Sequence, residues 1–390
     1  MGGRNYVKLL AIPNLMTLDS LQLLFFKNYD EAALRLSPGL NCFIGDNGSG
    51  KTNLLDAIHY LSLTKSAISA SDTLCIKQGA DFFVVKGNFA SESGPDSETV
   101  HETIQVSLRL GQKKTLTHNK QPYERMADHI GRYPAVLISP YDTDLIRQGS
   151  EERRKYFDSL MAQLDHAFLE LLISYNALLR QRNAVLKQGA ERAAHGFDRD
   201  YLLALDEQLA PLGEQLTSLR AAFLAEYVPI FQGHYRQLAD GREAVTLSYK
   251  TQLLGVDFAQ LLRQNERRDF ALQRSTTGSH RDDFVFLMDE LPVKSHASQG
   301  QQKSFAIALK LAQFEMLAAK QQHKPLLLLD DIFDRLDDKR IARLLELVAD
   351  ETFGQVFLTD TNLARTDEAL ARVAIPILRF RVQGGTVAPV

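Results

Sequence analysis

The sequence predicts an α/β fold that is interrupted by an inserted, mainly helical domain. Three observations lead to this prediction. Short apolar runs at Leu40–Ile44 and Leu326–Leu329 end in polar turns, as the buried strands of a parallel sheet do. Two long stripes of apolar residues at helical spacing lie between these runs. The last hundred residues then return to the strand–helix pattern of the start, so one sheet is expected to contain both ends of the chain.

Each part of the sequence predicts particular helices and strands. In the first part, a helical pattern begins at Thr52, and Phe82–Phe89 and Thr103–Leu110 alternate as strands do. One middle stripe predicts a single long helix through Leu160, Leu164, Phe168, Leu171, Tyr175 and Leu178. A second stripe, from Leu202 to Phe223, predicts its partner in a helical hairpin. The last part predicts helices at Phe305–Leu317 and Ile341–Val348 and strands at Leu326–Leu329 and Val356–Leu358.

These patterns divide the chain of 390 residues into three segments. Residues 16–150 form the first part of the head domain. Residues 151–290 form the helical arm, and residues 291–390 complete the head. We therefore expect a discontinuous head with the arm inserted into it.

Charge and composition exclude several classes of protein. The 45 Lys and Arg residues nearly balance the 48 Asp and Glu residues, so any DNA contact must come from a local patch. No apolar run approaches about 18 residues, so we expect no membrane helix and no membrane partner. The start also lacks the pattern of a secretory signal. Cys42 and Cys75 are too few for a disulfide framework and are typical of a reducing cytoplasm.

A glycine-rich segment between the first apolar run and the helix that follows has the pattern G-x-x-x-x-G-K-T. In such a loop, backbone N–H groups face a phosphate at the positive end of a helix. The lysine reaches the β and γ phosphates and contributes to catalysis, and the threonine hydroxyl takes a Mg²⁺ position. The predicted nucleotide-binding residues are Gly45, Asp46, Asn47, Gly48, Ser49, Gly50, Lys51 and Thr52.

Two carboxylates follow the apolar run Leu326–Leu329, at the strand end where sheets of this kind bind ligands. Asp330 is expected to hold Mg²⁺, and Asp331 to orient or deprotonate the attacking water. The alternative is that an aspartate here only caps the next helix.

A second anion site is predicted where Ser298, Gln299, Gly300 and Gln301 open a helix. The alternative for Ser298 is ordinary helix capping.

The order of these parts resembles the ABC-type ATPase heads of the SMC group. Within that group, the sequence is similar to the RecF family of bacterial recombination mediators. Segments that carry the resemblance are spread over most of the chain. They are Asn28-Tyr29, Gly50–Ile58, Ser139–Ile146, Gly149, Arg153–Asp158, Gln181–Asn183, Gly278–Asp283 and Ala297–Lys303, together with the paired Asp330 and Asp331.

The resemblance implies an ATP-dependent DNA-binding protein of recombinational repair and replication restart, with weak, DNA-stimulated ATPase activity. Its ligands would be ATP, Mg²⁺ and duplex DNA, especially at a gap or a junction of single- and double-stranded DNA. Two copies would sandwich ATP, with Ser298–Gly300 of one copy over the phosphate on Lys51 of the other. The dimer would help RecR and RecO to load RecA. The alternative is an SMC-like head that acts as a structural DNA clamp outside RecA loading.

The sequence departs from the family pattern at several places. Family members usually begin a few residues before their first strand, so the resemblance implies that residues 1–15 form an N-terminal extension. Ser279 replaces the common proline before His280.

Three further departures concern phosphate and nucleotide contacts. Lys27 stands where the family usually has arginine, so the charge is kept but the bidentate fork is lost. The turn Phe333–Asp337 replaces the usual S-E-L-D, and only Asp337 is carried over as a nucleotide contact. Asp360 or Thr361 lies where related ATPases often have a switch histidine.

Basic residues near the start of the arm and on its first long helix are the candidate DNA contacts. Arg180 and Lys187 are two helical turns apart and share a face, although a solvated helix face is the alternative. Such contacts would read DNA structure rather than base sequence. The complete set is Arg147, Arg153, Arg154, Lys155, Arg180, Arg182 and Lys187. For His280–Asp283 we favour a buried polar network that joins arm to head.

Two other classes of ATPase are disfavoured. A nuclease-coupled head would carry a long heptad insertion ending in a metal hook, but neither cysteine lies in the insertion. A transporter ATPase would carry L-S-G-G-Q and act with a membrane partner.

Overall fold

The chain divides into two compact units. The computed structural model describes residues 16–91, 98–191, 199–239, 243–321, 323–334, 341, 343, 353–371 and 375–390. Of these, the residues up to Asp142 and from Lys303 onward form one unit, which we call the head. Thr143–Gln302 form the second unit, which we call the arm. The predicted N-terminal extension and the predicted helix Ile341–Val348 lie outside the described residues, apart from positions 341 and 343.

The head contains an antiparallel sheet and a mixed sheet. The antiparallel sheet has the strand order β2-β1-β4-β5-β6-β7, and the mixed sheet has the order β15-β14-β3-β13-β12-β8. The antiparallel strands are β1 Met16–Leu24, β2 Glu31–Arg35, β4 Phe82–Ser91, β5 Val100–Arg109, β6 Thr115–His118 and β7 Gln121–Pro122. The strands of the mixed sheet are β3 Leu40–Ile44, β8 Ala135–Ile138, β12 Leu326–Leu329, β13 Val356–Asp360, β14 Ile377–Gln383 and β15 Thr386–Pro389.

The mixed sheet confirms the prediction that both ends of the chain share one sheet. Strand β3 lies between β13 and β14 and is parallel to both, and β12 is parallel to β13 and β8. Among the described strands of this sheet, only the β14–β15 pair at one edge is antiparallel. Because β3 and β12 are buried along their whole length, their apolar runs lack the alternation of half-exposed strands.

The helices are α1 Lys51–Leu63, α2 Asp144–Arg147, α3 Ser150–Leu164, α4 His166–Glu191, α5 Arg199–Leu238, α6 Phe258–Leu272, α7 Val293–His296, α8 Gln299–Gln321 and α9 Leu363–Leu370. Helix α1 contacts strands of both head sheets. Its buried Leu54, Ile58 and Leu61 join one apolar cluster with Phe83 and Leu328, one residue from each sheet. The core of the head therefore surrounds the helix that follows the phosphate loop. Within the described residues, no helix has both the length and the apolar character needed to cross a membrane.

The arm is mainly helical, with a small antiparallel sheet in the order β11-β10-β9. Its strands are β9 Val245–Lys250, β10 Asp283–Met288 and β11 Leu291–Pro292. The prediction of one continuous helix from Leu160 to Leu178 is wrong, because the chain leaves helical geometry at Asp165 (φ −143°, ψ 112°). The apolar stripe continues across this break, and Phe168 and Tyr175 share a core with residues from α5 and α6. The stripe therefore identified the buried face correctly but not the break.

Candidate nucleotide-binding site

The phosphate loop between β3 and α1 needs glycine at specific positions. Gly48 and Gly50 have positive φ angles of 78° and 114°, and residues that have a side chain rarely adopt such angles. A Cβ atom at Gly45 would lie 2.1 Å from the carbonyl oxygen of Val382. The loop is therefore held by backbone conformation and by close contact with β14.

The donors of the loop are arranged for an anion. Lys51 is 4% exposed, and its ammonium donates to the carbonyl oxygens of Gly45 and Asp46 at 2.9 and 3.1 Å. The buried Ser49 hydroxyl has no hydrogen-bond partner within the described part of the chain. An unsatisfied buried hydroxyl beside a buried cation and a helix N-terminus is chemically suited to a phosphate.

The loop meets the paired aspartates through Thr52. Its hydroxyl donates to Asp330 Oδ1 at 3.0 Å, although the two residues are 278 positions apart in sequence. Burial raises the pKa of Asp330, and the nearby Asp331 raises it further, while bonds from Thr359 and Thr52 and the charge of Lys51 lower it. A hydroxyl and a carboxylate are oxygen ligands that Mg²⁺ prefers, so the two groups fit the predicted metal role.

Thr359, on the neighbouring strand β13, was not identified from the sequence. Its hydroxyl donates to Asp330 Oδ1 at 2.8 Å and accepts from the backbone N–H of Asp331 at 2.8 Å. Asp331 has φ 43°, in the left-handed region that non-glycine residues rarely adopt. One hydroxyl thus fixes the carboxylate of Asp330 and the backbone of Asp331.

Asn28 and Tyr29 support the loop from the other side. The Asn28 amide donates to the carbonyl oxygen of Ser49 at 3.1 Å, and the Tyr29 hydroxyl donates to that of Gly50 at 2.9 Å. The resemblance included both residues, but only the structure gives their contacts. Lys27, in the position of the family arginine, instead pairs with the buried Asp56 of α1 at 2.6 Å.

At the position of a switch histidine, Asp360 belongs to a local network. Its carboxylate is buried, and it accepts from the Thr361 N–H at 2.7 Å and from the Thr366 hydroxyl at 2.6 Å. The Arg365 guanidinium pairs with the same carboxylate. These contacts hold α9 against the end of β13.

The predicted second anion site has the geometry of a capping box. The Ser298 hydroxyl accepts from the Gln301 N–H at 3.2 Å, and the Gln301 side-chain oxygen accepts from the Ser298 N–H at 2.7 Å. Ser298 therefore caps α8, and Gln299 and Gly300 form its first turn. Asp337, the other predicted nucleotide contact in this part of the site, lies outside the described residues.

The structure corrects one candidate DNA contact. Arg182 is fully buried, and its guanidinium pairs with Asp206 at 2.5 Å and with Asp269 at 2.7 Å. A third bond, at 2.8 Å, goes to the Ser275 hydroxyl. Because all of these partners lie inside the arm, Arg182 joins α4 to α5 and α6 and is not available to DNA.

The other candidate DNA contacts differ in whether their side chains already have partners within the protein. Arg153 forms a bidentate pair with Asp283 at 2.8 and 3.0 Å, and Arg154 donates to the carbonyl oxygen of Asp282. Arg147 donates to the Gln302 side chain, and Lys155 pairs with Glu151 and Glu152. Arg180 and Lys187 are exposed, and neither has a side-chain partner among the described residues. Of the predicted set, these two are the most accessible to DNA.

The stretch His280–Asp283 forms a polar network inside the arm. Asp282 pairs with the buried Arg220 at 3.0 Å, and the Tyr249 hydroxyl also donates to its carboxylate. The His280 Nε2–H donates to the Ser275 carbonyl oxygen, so Nδ1 accepts from the Tyr175 hydroxyl. Burial lowers the pKa of His280 to about 4, which keeps the ring neutral at physiological pH. Arg220, Tyr249, Ser275 and Tyr175 all belong to the arm itself.

Comparison with known proteins identifies the family. Residues 17–376 match the RecF/RecN/SMC N terminal domain family. The chain is 45% identical over 351 residues to the DNA replication and repair protein RecF of Cytophaga hutchinsonii, covering 90% of this chain and 91% of that one. The chain belongs to the RecF family. The RecF protein of Flavobacterium johnsoniae is also 45% identical, over 90% of this chain and 96% of its own.

Solved structures agree with this assignment. A RecF–ATP structure described as a recombination mediator protein of the RecFOR pathway superposes with a TM-score of 0.84 at 26% identity. It covers 97% of this chain and 100% of that one. The Smc head domain of Pyrococcus furiosus has a TM-score of 0.55 at 16% identity, with 96% of each chain covered, and shares the fold. Both matches confirm the predicted ABC-type ATPase head of the RecF and SMC kind.

Proposed function

We propose that this RecF-family protein is an ATPase that binds DNA as a dimer, with ATP as the switch between its states. The observation that carries the proposal is the 3.0 Å bond from Thr52 to Asp330, which brings the phosphate loop to the carboxylates of β12. This is the arrangement that phosphoryl transfer needs, because positioned cations and carboxylates supply most of the catalysis. The likeness to an ATP-bound RecF structure supports ATP as the nucleotide.

The residues of the site have separate roles in this proposal. Lys51 would exchange its two backbone carbonyls for the β and γ phosphates, because charge-assisted bonds to phosphate are stronger. Ser49 and the loop N–H groups would supply further donors to the same phosphates. Mg²⁺, when held by Thr52 and Asp330, would neutralise charge on the phosphates. Asp331 would orient the attacking water and accept its proton.

Dimerisation would follow from the second anion site. The Ser298–Gly300 segment of one copy, in which Ser298 and Gln299 are exposed, would donate to the γ-phosphate held by Lys51 of another copy. ATP would then be a shared ligand of both chains, so nucleotide binding and dimerisation become one equilibrium. Hydrolysis would remove the bridging phosphate and release the dimer.

The dimer would bind duplex DNA at a gap or a junction with single-stranded DNA, and hydrolysis would be slow and DNA-stimulated. With RecR and RecO it would help to load RecA, which places the protein in the cytoplasm. The names of the relatives support this role, since they are DNA replication and repair proteins and a recombination mediator of the RecFOR pathway.

Analytical sedimentation tests the proposal. The wild-type protein and Lys51→Ala are compared with ATP, with ADP and without nucleotide, each with and without a gapped duplex. We expect wild-type dimers only with ATP, together with the tightest DNA binding. Lys51→Ala should remain monomeric, because its main phosphate anchor is lost.

Two results would argue against parts of this proposal. An unchanged sedimentation coefficient with ATP would contradict the switch. ATP-dependent DNA binding that does not assist RecA on gapped DNA, even with RecR and RecO, would favour the SMC-like clamp instead.

A further inference from the structure

The outer face of helix α6 in the arm carries a cluster of arginines. Arg263, Arg267 and Arg268 are exposed on the helix, and the exposed Arg274 follows its end. The first two are four residues apart, so their side chains are neighbours on one face. Arg263 to Arg268 spans about 7.5 Å along the helix axis. We call these four residues the α6 arginine face.

Like Arg180 and Lys187, these arginines have no ion-pair partner within the described part of the chain. None of the four has a salt bridge or side-chain hydrogen bond to any other residue in the described part of the chain. By contrast, Arg153 pairs with Asp283. The guanidinium groups of this face are therefore available to an anionic ligand.

The acidic residues of the same helix are turned away from this face by their contacts. Asp257 caps the helix by accepting from the Gln260 N–H at 2.9 Å. Glu266 pairs with Arg199 at 3.2 Å, and Asp269 is buried against Arg182. The face is therefore left with positive charge and the neutral, exposed Gln260 and Gln264.

Compensation of the helix dipole explains only part of this arrangement. That effect is confined to the last turn, where it favours Arg268 and Arg274. Arg263 lies in the middle of the helix, outside the reach of this effect. Guanidinium groups also bind phosphate oxygens in bidentate geometry, which lysine cannot do.

The helix beneath the face is held rigidly. Buried Asp269 accepts from Arg182 of α4 at 2.7 Å and from the Thr276 N–H at 2.9 Å. The Asn183 side chain of α4 accepts from the Ser275 N–H at 2.7 Å. A surface that is already ordered loses less entropy when it binds a ligand.

We propose that the α6 arginine face binds the phosphate backbone of duplex DNA. This inference rests on the proposed DNA-binding function and gives it a location that the sequence did not predict. DNA carries one charge per about 1.7 Å of duplex axis, so a stretch of about 7.5 Å faces several phosphates. The contacts are to phosphate alone, so binding here is independent of base sequence.

The test compares Arg263→Gln/Arg267→Gln/Arg268→Gln with the wild type. Its affinity for a gapped duplex is measured with ATP at several salt concentrations. We expect affinity to fall at least about tenfold at about 0.1 M salt, because each lost phosphate contact removes about 0.9 from the slope of log affinity against log salt. Dimerisation with ATP and the melting temperature should be unchanged. The matched control is Arg35→Gln, at an exposed arginine of β2 in the head that has no assigned role, and it should leave the affinity and the salt slope unchanged.

A second variant, with lysine at the same three positions, keeps the proposal testable if the glutamine variant folds poorly. It should retain most of the salt slope. Wild-type affinity and slope in the glutamine variant would overturn the α6 site and leave the proposed function intact. No wild-type DNA binding with any nucleotide would overturn the proposed function itself. If the substitutions weaken binding to anionic lipid vesicles but not to DNA, the α6 arginine face binds membranes and its assignment to DNA is wrong.

Discussion

The two carboxylates at the end of β12 depend on one neighbouring hydroxyl. Thr359 donates its hydroxyl proton to Asp330 and accepts the N–H of Asp331, each at 2.8 Å. The left-handed backbone at Asp331 costs about 1–2 kcal/mol for a residue with a side chain, so it persists only while its surroundings hold it. Thr359 is therefore a positioning residue for both carboxylates.

We expect Thr359→Val to slow ATP hydrolysis about tenfold or more while ATP affinity changes little. The valine keeps the volume of the buried strand but removes both hydrogen bonds, and a displacement of about 1 Å can cost roughly 100-fold in rate. Single-turnover hydrolysis and equilibrium nucleotide binding measure the two effects separately. Thr359→Ser should restore the rate, because its hydroxyl can make both bonds. Equal losses in the two variants would mean that only packing matters.

Residues in a continuous segment could be assigned from the sequence, and residues in distant contacts could not. The glycines and lysine of the phosphate loop follow one another, so their joint geometry follows from local backbone rules. Arg182 has partners 24, 87 and 93 positions away. Nothing near it in sequence distinguishes a buried arginine from one that faces solvent.

Helices α4, α5 and α6 are joined by a buried charge as well as by apolar packing. Arg182, on α4, bridges Asp206 of α5 and Asp269 of α6, and all three side chains are almost fully buried. Removing one member of such a group leaves uncompensated charge inside the protein. The arrangement makes the three helices dependent on one another.

Accordingly, Arg182→Met should lower the unfolding free energy of the arm by about 3–5 kcal/mol. The exposed Arg180, two positions earlier, is the matched control, and Arg180→Met should change stability by less than about 0.5 kcal/mol. Urea unfolding followed by far-UV circular dichroism measures both. A stable Arg182→Met protein with weakened DNA binding would show that Arg182 contacts DNA and that its structural assignment is wrong.

The break between α3 and α4 shows what periodicity cannot reveal about an element. At Asp165 the chain becomes extended, and the Asp165 side chain accepts from the Ala167 N–H at 2.8 Å, as a cap does. The apolar spacing does not change there, because both helices bury the same stripe. An aspartate within a regular stripe was the signal available, but such a residue is also common on helix surfaces.

At the scale of the whole molecule, the proposed dimer predicts that each active site needs two chains. Ser298→Arg should prevent ATP-driven dimers, since its side chain would occupy the place of the γ-phosphate of the other copy. Mixing it with Lys51→Ala should restore at most one composite site per heterodimer, giving partial hydrolysis where neither variant alone is active. Hydrolysis rates of the separate and mixed proteins provide the measurement.

The control for this experiment is Ser298→Ala. It removes the capping hydroxyl, at a cost of about 1 kcal/mol to α8, but leaves the surface accessible. An active Ser298→Arg monomer, or an equal loss in both Ser298 variants, would show that the serine acts only as a helix cap.

The discontinuous head also sets the order in which the protein can become active during its synthesis. Thr52 leaves the ribosome 278 residues before its partner Asp330, a delay of roughly 15–60 s at ordinary translation rates. The arm is one continuous stretch, so its contacts become available as soon as Gln302 has emerged. Meanwhile β3, whose residues are all buried in the finished head, has neither of its neighbours. The nascent chain thus carries an unpaired apolar strand until β13 and β14 have emerged, and such a strand is prone to aggregation in that interval. A nucleotide site that includes both Thr52 and Asp330 can form only after Asp330 has emerged.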